Sequence, residues 1–182
     1  MKPRSLRTPS QARSRGLLLV LGVAVFLATP KSVLAANSEQ PETEKAHIAQ
    51  WQAEKNDPST PKASLRIRVH GLSPGLGSVR VGLYDAKIKF PAEGRHLEDR
   101  VQTVATSDNQ TIVFADLPLG EYALALIYDV NNNAKLDYHM GIFPAEPLAF
   151  SGGARAGMFG PPRFEDAKFT LKADATLDVQ FR

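Results

Sequence analysis

Apolar and polar residues alternate one for one through much of the second half of this 182-residue chain. Leu65, Ile67 and Val69 alternate with Arg66, Arg68 and His70; Val79, Val81 and Leu83 alternate with Arg80, Gly82 and Tyr84. A period of two puts one set of side chains on each face of a half-buried strand. The spacing predicts strands over 64–70 and 79–84, joined as a hairpin through the turn cluster G-L-S-P-G-L-G at 71–77. Further strands are predicted over 101–106, 111–115, 168–172 and 177–181, with D-L-P-L-G at 116–120 and A-D-A at 173–175 as turns. The run 121–128 is apolar on both faces, Tyr122, Leu124, Leu126 and Tyr128 on one and Ala123, Ala125 and Ile127 on the other. That pattern predicts a central strand covered on both sides. Between it and the closing strands, residues 140–163 show little periodicity and are dense in Gly and Pro, and a loop of that length in a compact domain is usually functional or disordered. Its apolar content, Ile142, Phe143, Leu148, Phe150, Met158 and Phe159, predicts that it packs down. About seven short strands without a long helix imply an all-β fold, an antiparallel immunoglobulin-like or transthyretin-like β-sandwich with one long Gly/Pro-rich loop, over 63–182. No internal repeat is visible.

The start of the chain reads differently. Residues 1–35 carry six basic and no acidic residues, then the apolar run 16–27, then Pro30 and a small-residue exit at Ala35-Ala36. This order matches a secretory signal peptide cleaved after Ala35, and the twelve-residue run falls short of the roughly 20 that span a bilayer. Cleavage changes the charge picture. Of 22 basic residues 16 remain, against 19 acidic ones, so the net charge moves from +3 to −3. The basic balance therefore gives no warrant for a nucleic-acid partner. The expected destination is the periplasm or the medium, without stable membrane insertion after cleavage. The absence of cysteine excludes disulfides, thiolate catalysis and a lipoprotein anchor. Residues 36–62 are polar, with Ile48 and Trp51 almost alone as apolar residues, and are expected to be a flexible polar linker containing at most a marginal helix over 42–55. Trp51 is expected in a frayed tail.

Candidate chemistry concentrates in 128–141, Y-D-V-N-N-N-A-K-L-D-Y-H-M-G. Asp129, Asn131, Asn133 and Asp137 stand at relative positions 1, 3, 5 and 9 of a calcium-loop pattern, with the Lys135 backbone carbonyl at position 7. A hard cation takes several oxygen ligands, and alternate residues of a tight loop can turn theirs inward. The pattern is incomplete: Ala134 stands where glycine is usual, Met140 where a bidentate glutamate closes the loop, and a strand leads in where a helix is expected. Glu146 supplies the missing anionic ligand from downstream. Such a site belongs in the weak extracellular range, with a dissociation constant on the order of 10⁻⁴ to 10⁻³ M. The alternative is an Asx-rich turn whose side chains bond their own backbone.

Taken together, the segment 71–86, the D-L-P-L-G-E-Y-A turn at 116–123, the Asp129–Asp137 loop and F-G-P-P-R-F-E-D-A-K-F at 159–169 resemble the bacterial exported proteins grouped as DUF2141. The resemblance implies export and a β-sandwich over nearly all of 64–182, and no particular activity. Asp129, Asn131, Asn133, Asp137, Gly141 and Glu146 match its pattern, whereas Ala134 and Ala149 replace glycines and Gly152-Gly153 replace paired asparagines.

Other candidates are thinner. His139 beside Asp137 suggests a transition metal on one histidine only, and His47, His70 and His96 have no zinc spacing. Ser151 lacks the frame of a nucleophile elbow and reads as a turn residue. The acid pairs Glu98-Asp99 and Glu165-Asp166 read as solvated carboxylates, and 159–164 as a proline-stiffened lid. The expected function is a non-enzymatic binding or structural module of the cell envelope with a calcium-like loop and an envelope protein or glycan as partner. The alternative is a metal-dependent hydrolase with Glu146 as base.

Overall fold

A computed structural model describes residues 41–181 except 93, 105–108, 141–142 and 158–159. Residues 1–35, expected as a signal peptide, residues 36–40 of the expected linker, and Gly141, Ile142, Met158 and Phe159 lie outside the described residues.

The described residues are mostly β, in sheets whose strand pairs are antiparallel except for one parallel pair, a departure from the purely antiparallel expectation. One sheet has three strands in the order β10-β1-β4: β1 (Lys62–His70), β4 (Gln110–Pro118) and β10 (Ala175–Gln180). The other is built on β2 (Ser78–Tyr84), β3 (Glu98–Thr103), β5 (Gly120–Asp129) and β8 (Leu148–Phe150), in the order β3-β2-β5-β8. β9 (Phe169–Leu171) also pairs with β5, on residues 120–122, while β8 takes 125–127. A separate two-stranded ribbon is made by β6 (Tyr138–His139) and β7 (Phe143–Pro144). Alternation works as the pattern requires: Leu65, Ile67 and Val69 of β1 are buried and pack in one core with Val79, Val81 and Leu83 of β2, Phe114 of β4, and Leu124 and Leu126 of β5.

Several expectations need correction. The ten strands among the described residues exceed the seven expected, because 138–150 contributes three short strands, two of them inside the expected structureless loop 140–163. Strands β1 and β2 do not form a hairpin. β1 pairs with β4 and, in parallel, with β10, whereas β2 pairs with β3 and β5, so 71–77 carries the chain between sheets. The third strand runs over 98–103, earlier than expected. The turn expected at 116–120 is a bulge followed by a corner. Ala115 and Asp116 together oppose the single residue Ser64, and Asp116 takes a left-handed φ of 56°. β4 then continues to Pro118, and Leu119 alone separates it from β5 in the other sheet.

The linker also needs correction. Residues 42–56 form a helix, α1 (Glu42–Asn56), and Trp51 is buried in the main core rather than frayed. Its indole N–H donates to the Tyr122 hydroxyl (3.2 Å), which donates to the Pro118 carbonyl (2.7 Å). Glu44, on the first turn, accepts from Arg95 through Nε (2.8 Å) and Nη2 (2.5 Å), and from the Lys89 N–H (3.1 Å). Lys55 pairs with Glu98, and His47 with Asp85 at 2.5 Å. One aromatic and a set of half-buried ion pairs dock the helix, and a reading by apolar content does not register such contacts. No described helix is long and apolar enough to cross a membrane.

Candidate metal loop and outer-face cavity

β5 delivers the loop. Its last residue, Asp129, is buried, and Gly77 lets the backbones meet there: with φ 72°, a Cβ at this position would sit 2.4 Å from the Asp129 carbonyl oxygen. The Asp129 carboxylate accepts from the N–H groups of Asn133 (3.2 Å) and Ala134 (2.9 Å). Asn131 Oδ1 accepts from the Asn133 N–H (3.1 Å), and Asn133 Oδ1 from the Lys135 N–H (2.8 Å). Both asparagine amides donate to Asp137 Oδ2, at 2.8 and 2.7 Å. These are the Asx turns of the alternative reading, and they bring Asp129, Asn131, Asn133 and Asp137 into one hydrogen-bonded coil. Asn132 and Ala134 take left-handed φ values of 57° and 62°. The Lys135 side chain accompanies an exposed residue.

Glu146 stands apart from this satisfied network. It is buried, and neither carboxylate oxygen has a hydrogen-bond partner. Burial, then the negative charge of Asp129, pushes its carboxyl above the ordinary range, with the Asp137 charge adding to this; the backbone N–H groups of Asp137 and Val130 oppose it without closing a hydrogen bond. The neighbouring Ala145 N–H donates to the Asp137 carbonyl (2.7 Å), so the return from the ribbon is pinned to the loop. A buried carboxylate with no hydrogen bond closed and two like charges beside it is a costly arrangement. A calcium ion fits its chemistry. The ion takes six to eight oxygens and accepts amide and backbone carbonyls alongside carboxylates. Among the described residues no group of three or more His, Asp and Glu side chains is placed to hold a metal ion, so the amides and the Lys135 carbonyl would have to complete the set. His139 is exposed on β6 and forms no such group with Asp137.

The remaining candidates have structural roles. Ser151 is fully buried where β8 gives way to β9; its hydroxyl accepts from the Leu124 N–H (2.8 Å) and donates to the Ala167 carbonyl (2.5 Å), completing the β5 edge. Glu98 is engaged by Lys55 and Arg100, Asp99 by His96, Glu165 by Lys168, and Asp166 by Arg163. Of the expected lid 159–164, Gly160 and Pro161 line the cavity described next, and Phe164 packs edge-on against Phe90 at 6.2 Å.

That cavity, of about 410 Å³, lies on the outer face of the five-stranded sheet. Its floor follows from the strand register. One cross-strand row reads Asp99, Gly82, Ala125, Phe150, and the next reads Val101, Arg80, Ile127, Leu148. The two small residues at the centre of the first row leave the depression. The ribbon and the end of the metal-like loop form a roof through Leu136, Tyr138, Phe143 and Pro144. At one end Tyr84 stacks edge-on with Phe90 (5.1 Å) and His96 (6.3 Å). Burial, opposed by Asp99 and assisted by Arg80, holds the His96 imidazole below its ordinary pKa and hence neutral at pH 7. Sequence reading missed these residues; the one signal was glycine and alanine on the second face of two strong strands.

The metal-like loop, the ribbon and most of both sheets fall within the match to a family model that covers residues 67–179. The chain belongs to this family, the uncharacterised proteins conserved in bacteria designated DUF2141. No curated protein and no solved structure matches the chain.

Proposed function

We propose that the protein is a non-enzymatic binding module of the bacterial cell envelope, a two-sheet β-sandwich of immunoglobulin-like or transthyretin-like kind. It is exported by the basic and apolar segment at residues 1–35. In this reading Asp129, Asn131, Asn133, the Lys135 carbonyl, Asp137 and Glu146 hold a calcium ion. The ion braces the β6–β7 ribbon against the end of β5. The observation that carries the reading is the pair of buried, unpartnered oxygens of Glu146 beside Asp129 and Asp137. A cation answers both the missing partners and the repulsion. None of these three carboxylates is among the described residues lining the cavity, which favours an ion that braces the loop over one that activates water for hydrolysis. The exposed ribbon, bearing Tyr138, Met140 and Phe143, is the face offered to an envelope protein or glycan.

Thermal melts of the full chain in excess calcium and in chelator test the ion. At about 10 mM calcium, roughly 100 times a dissociation constant on the order of 10⁻⁴ M, native-state binding adds about 2.7 kcal/mol. Glu146→Gln keeps the side-chain size and is expected to remove most of this response. Superimposable melts with calcium and chelator would sink the calcium reading and leave the loop as a set of Asx turns.

A further inference from the structure

The cavity on the outer face of the five-stranded sheet supports an inference independent of the ion. At about 410 Å³ it falls within the range of small-molecule sites. An apolar protein cavity of about 150 Å³ takes one benzene, so this one has room for roughly two or three rings. Its walls are largely aromatic, aliphatic and proline side chains, which offer ordered water too few hydrogen-bonding partners. Aromatic faces are arranged around the space. A Cβ at Gly82 would sit 2.9 Å from Tyr84 Cε2 and 3.0 Å from its Oη, so glycine lets the Tyr84 ring lean over its own strand. The Tyr84 hydroxyl donates to the Ala92 carbonyl (3.1 Å), which leaves the carbon surface of the ring to the cavity. Ala125, beside Gly82 in the next strand, adds only a methyl group to the floor. Phe90 meets Tyr84 edge-on at 5.1 Å and Phe150 at 6.0 Å, so the rings at this end form one edge-to-face cluster. Over the floor stand Tyr138 and Phe143, 50% and 65% exposed, which line the cavity without being buried by the rest of the chain. Exposed apolar surface over an apolar hollow marks a place where something else completes the packing.

The ionisable groups among the described lining residues are already matched. Arg80 is partnered within the chain. Asp99 stands 3.5 Å from His96, and its side chain is 57% exposed at the rim, where water serves it. His96 packs edge-on against Tyr84 at 6.3 Å. A charged occupant would lose its hydration and find no unmatched countercharge among these residues, which makes it costly. A planar ring, by contrast, continues the edge-to-face pattern that Tyr84, Phe90 and Phe150 begin, and such aromatic pairs gain beyond their buried area. We infer that this cavity binds a small uncharged aromatic molecule, lying over Ala125 and the Tyr84 ring beneath Tyr138 and Phe143.

Fluorescence titration of the full chain with N-phenylnaphthylamine, an uncharged dye that brightens in apolar surroundings, tests this directly. Saturable brightening is expected. Naphthalenemethanol should displace the dye at the lowest concentration. Naphthoate and naphthylmethylammonium should each need at least about tenfold more, since neither charge finds a partner. Decahydronaphthalenemethanol, the saturated counterpart without a flat aromatic face, should need several-fold more. Ala125→Phe should fill the floor and abolish dye binding. If Ala125→Phe does not fold, Phe143→Ala decides the location, since its position is exposed and several-fold weaker binding is expected. Absence of saturable brightening, or brightening indifferent to both variants, overturns the site. Displacement by either charged probe as effective as by naphthalenemethanol overturns the uncharged class, and equal displacement by the saturated alcohol overturns the aromatic class.

Discussion

Glu44 and Glu146 are buried to nearly the same depth, 8% and 7% exposed, and their surroundings are opposite. Glu44 meets a guanidinium on two nitrogens and a backbone N–H besides, and the Arg95 hydrogen bonds outweigh burial to hold its carboxyl below the ordinary value. Glu146 closes no hydrogen bond and meets two like charges, and burial holds its carboxyl above that value. The first is a finished contact: it docks α1 onto the segment that leads into β3, and nothing more is asked of it. The second is unfinished within the chain itself. The comparison sets a finished fastening against an unsatisfied charge, with the same residue type at the same depth.

Breaking the fastening should give the largest effect. Arg95→Met leaves Glu44 a buried carboxylate without its counter-ion, held by the Lys89 N–H alone, and is expected to cost about 3 kcal/mol, unless α1 detaches and limits the loss. Denaturant melts give the energy, and proteolysis within 42–56 reports detachment. The same contact depends on pH in a definite sense. Because the folded pKa is depressed, its stabilisation is full above the ordinary glutamate value of 4.5 and is lost as the pH falls through the lower folded value. Glu44→Gln should flatten that acid limb.

Glu146 is expected to respond in the opposite direction. Without calcium, Glu146→Leu removes an unsatisfied buried charge and is expected to raise stability by about 1 to 3 kcal/mol. A destabilised variant in chelator would mean that Glu146 is already satisfied, and the contrast with Glu44 would collapse. The smallest expected effect sharpens the loop itself. Ala134 holds a φ of 62°, so Ala134→Gly relieves left-handed strain of roughly 1 kcal/mol, partly offset by the entropy of a more flexible unfolded chain. A higher melting temperature checks it.

Strand positions were legible from the sequence wherever alternation was strong, as in β1, β2 and β5, because a half-buried strand imposes a period of two whatever its neighbours are. Partnership was not. β1 lies beside β10, with Leu65 opposite Ala175, through contacts more than a hundred residues apart that no local pattern encodes. α1 was misread for a related reason: its apolar residues are few, and Glu44–Arg95 and Lys55–Glu98 join residues far apart in sequence. In the loop, spacing alone brought Asp129, Asn131, Asn133 and Asp137 together and suggested that Glu146 arrives beside them. Gly82 and Ala125 were invisible as a site, since a small residue in a strand looks like a weakness until register sets two of them side by side.

The shared edge of β5 has a wider consequence. β8 returns to residues 125–127 just after β5 has ended at Asp129, and the Tyr128 N–H donates to the Pro147 carbonyl at 3.0 Å. Everything between, the coil and the ribbon, is an excursion that leaves and rejoins the sheet at nearly one point. Lengthening such an excursion costs little closure entropy, since that cost grows only with the logarithm of its length. The fold of the two sheets is thereby separated from the length of the excursion: a chain built this way can exchange one ribbon for another without renegotiating the core.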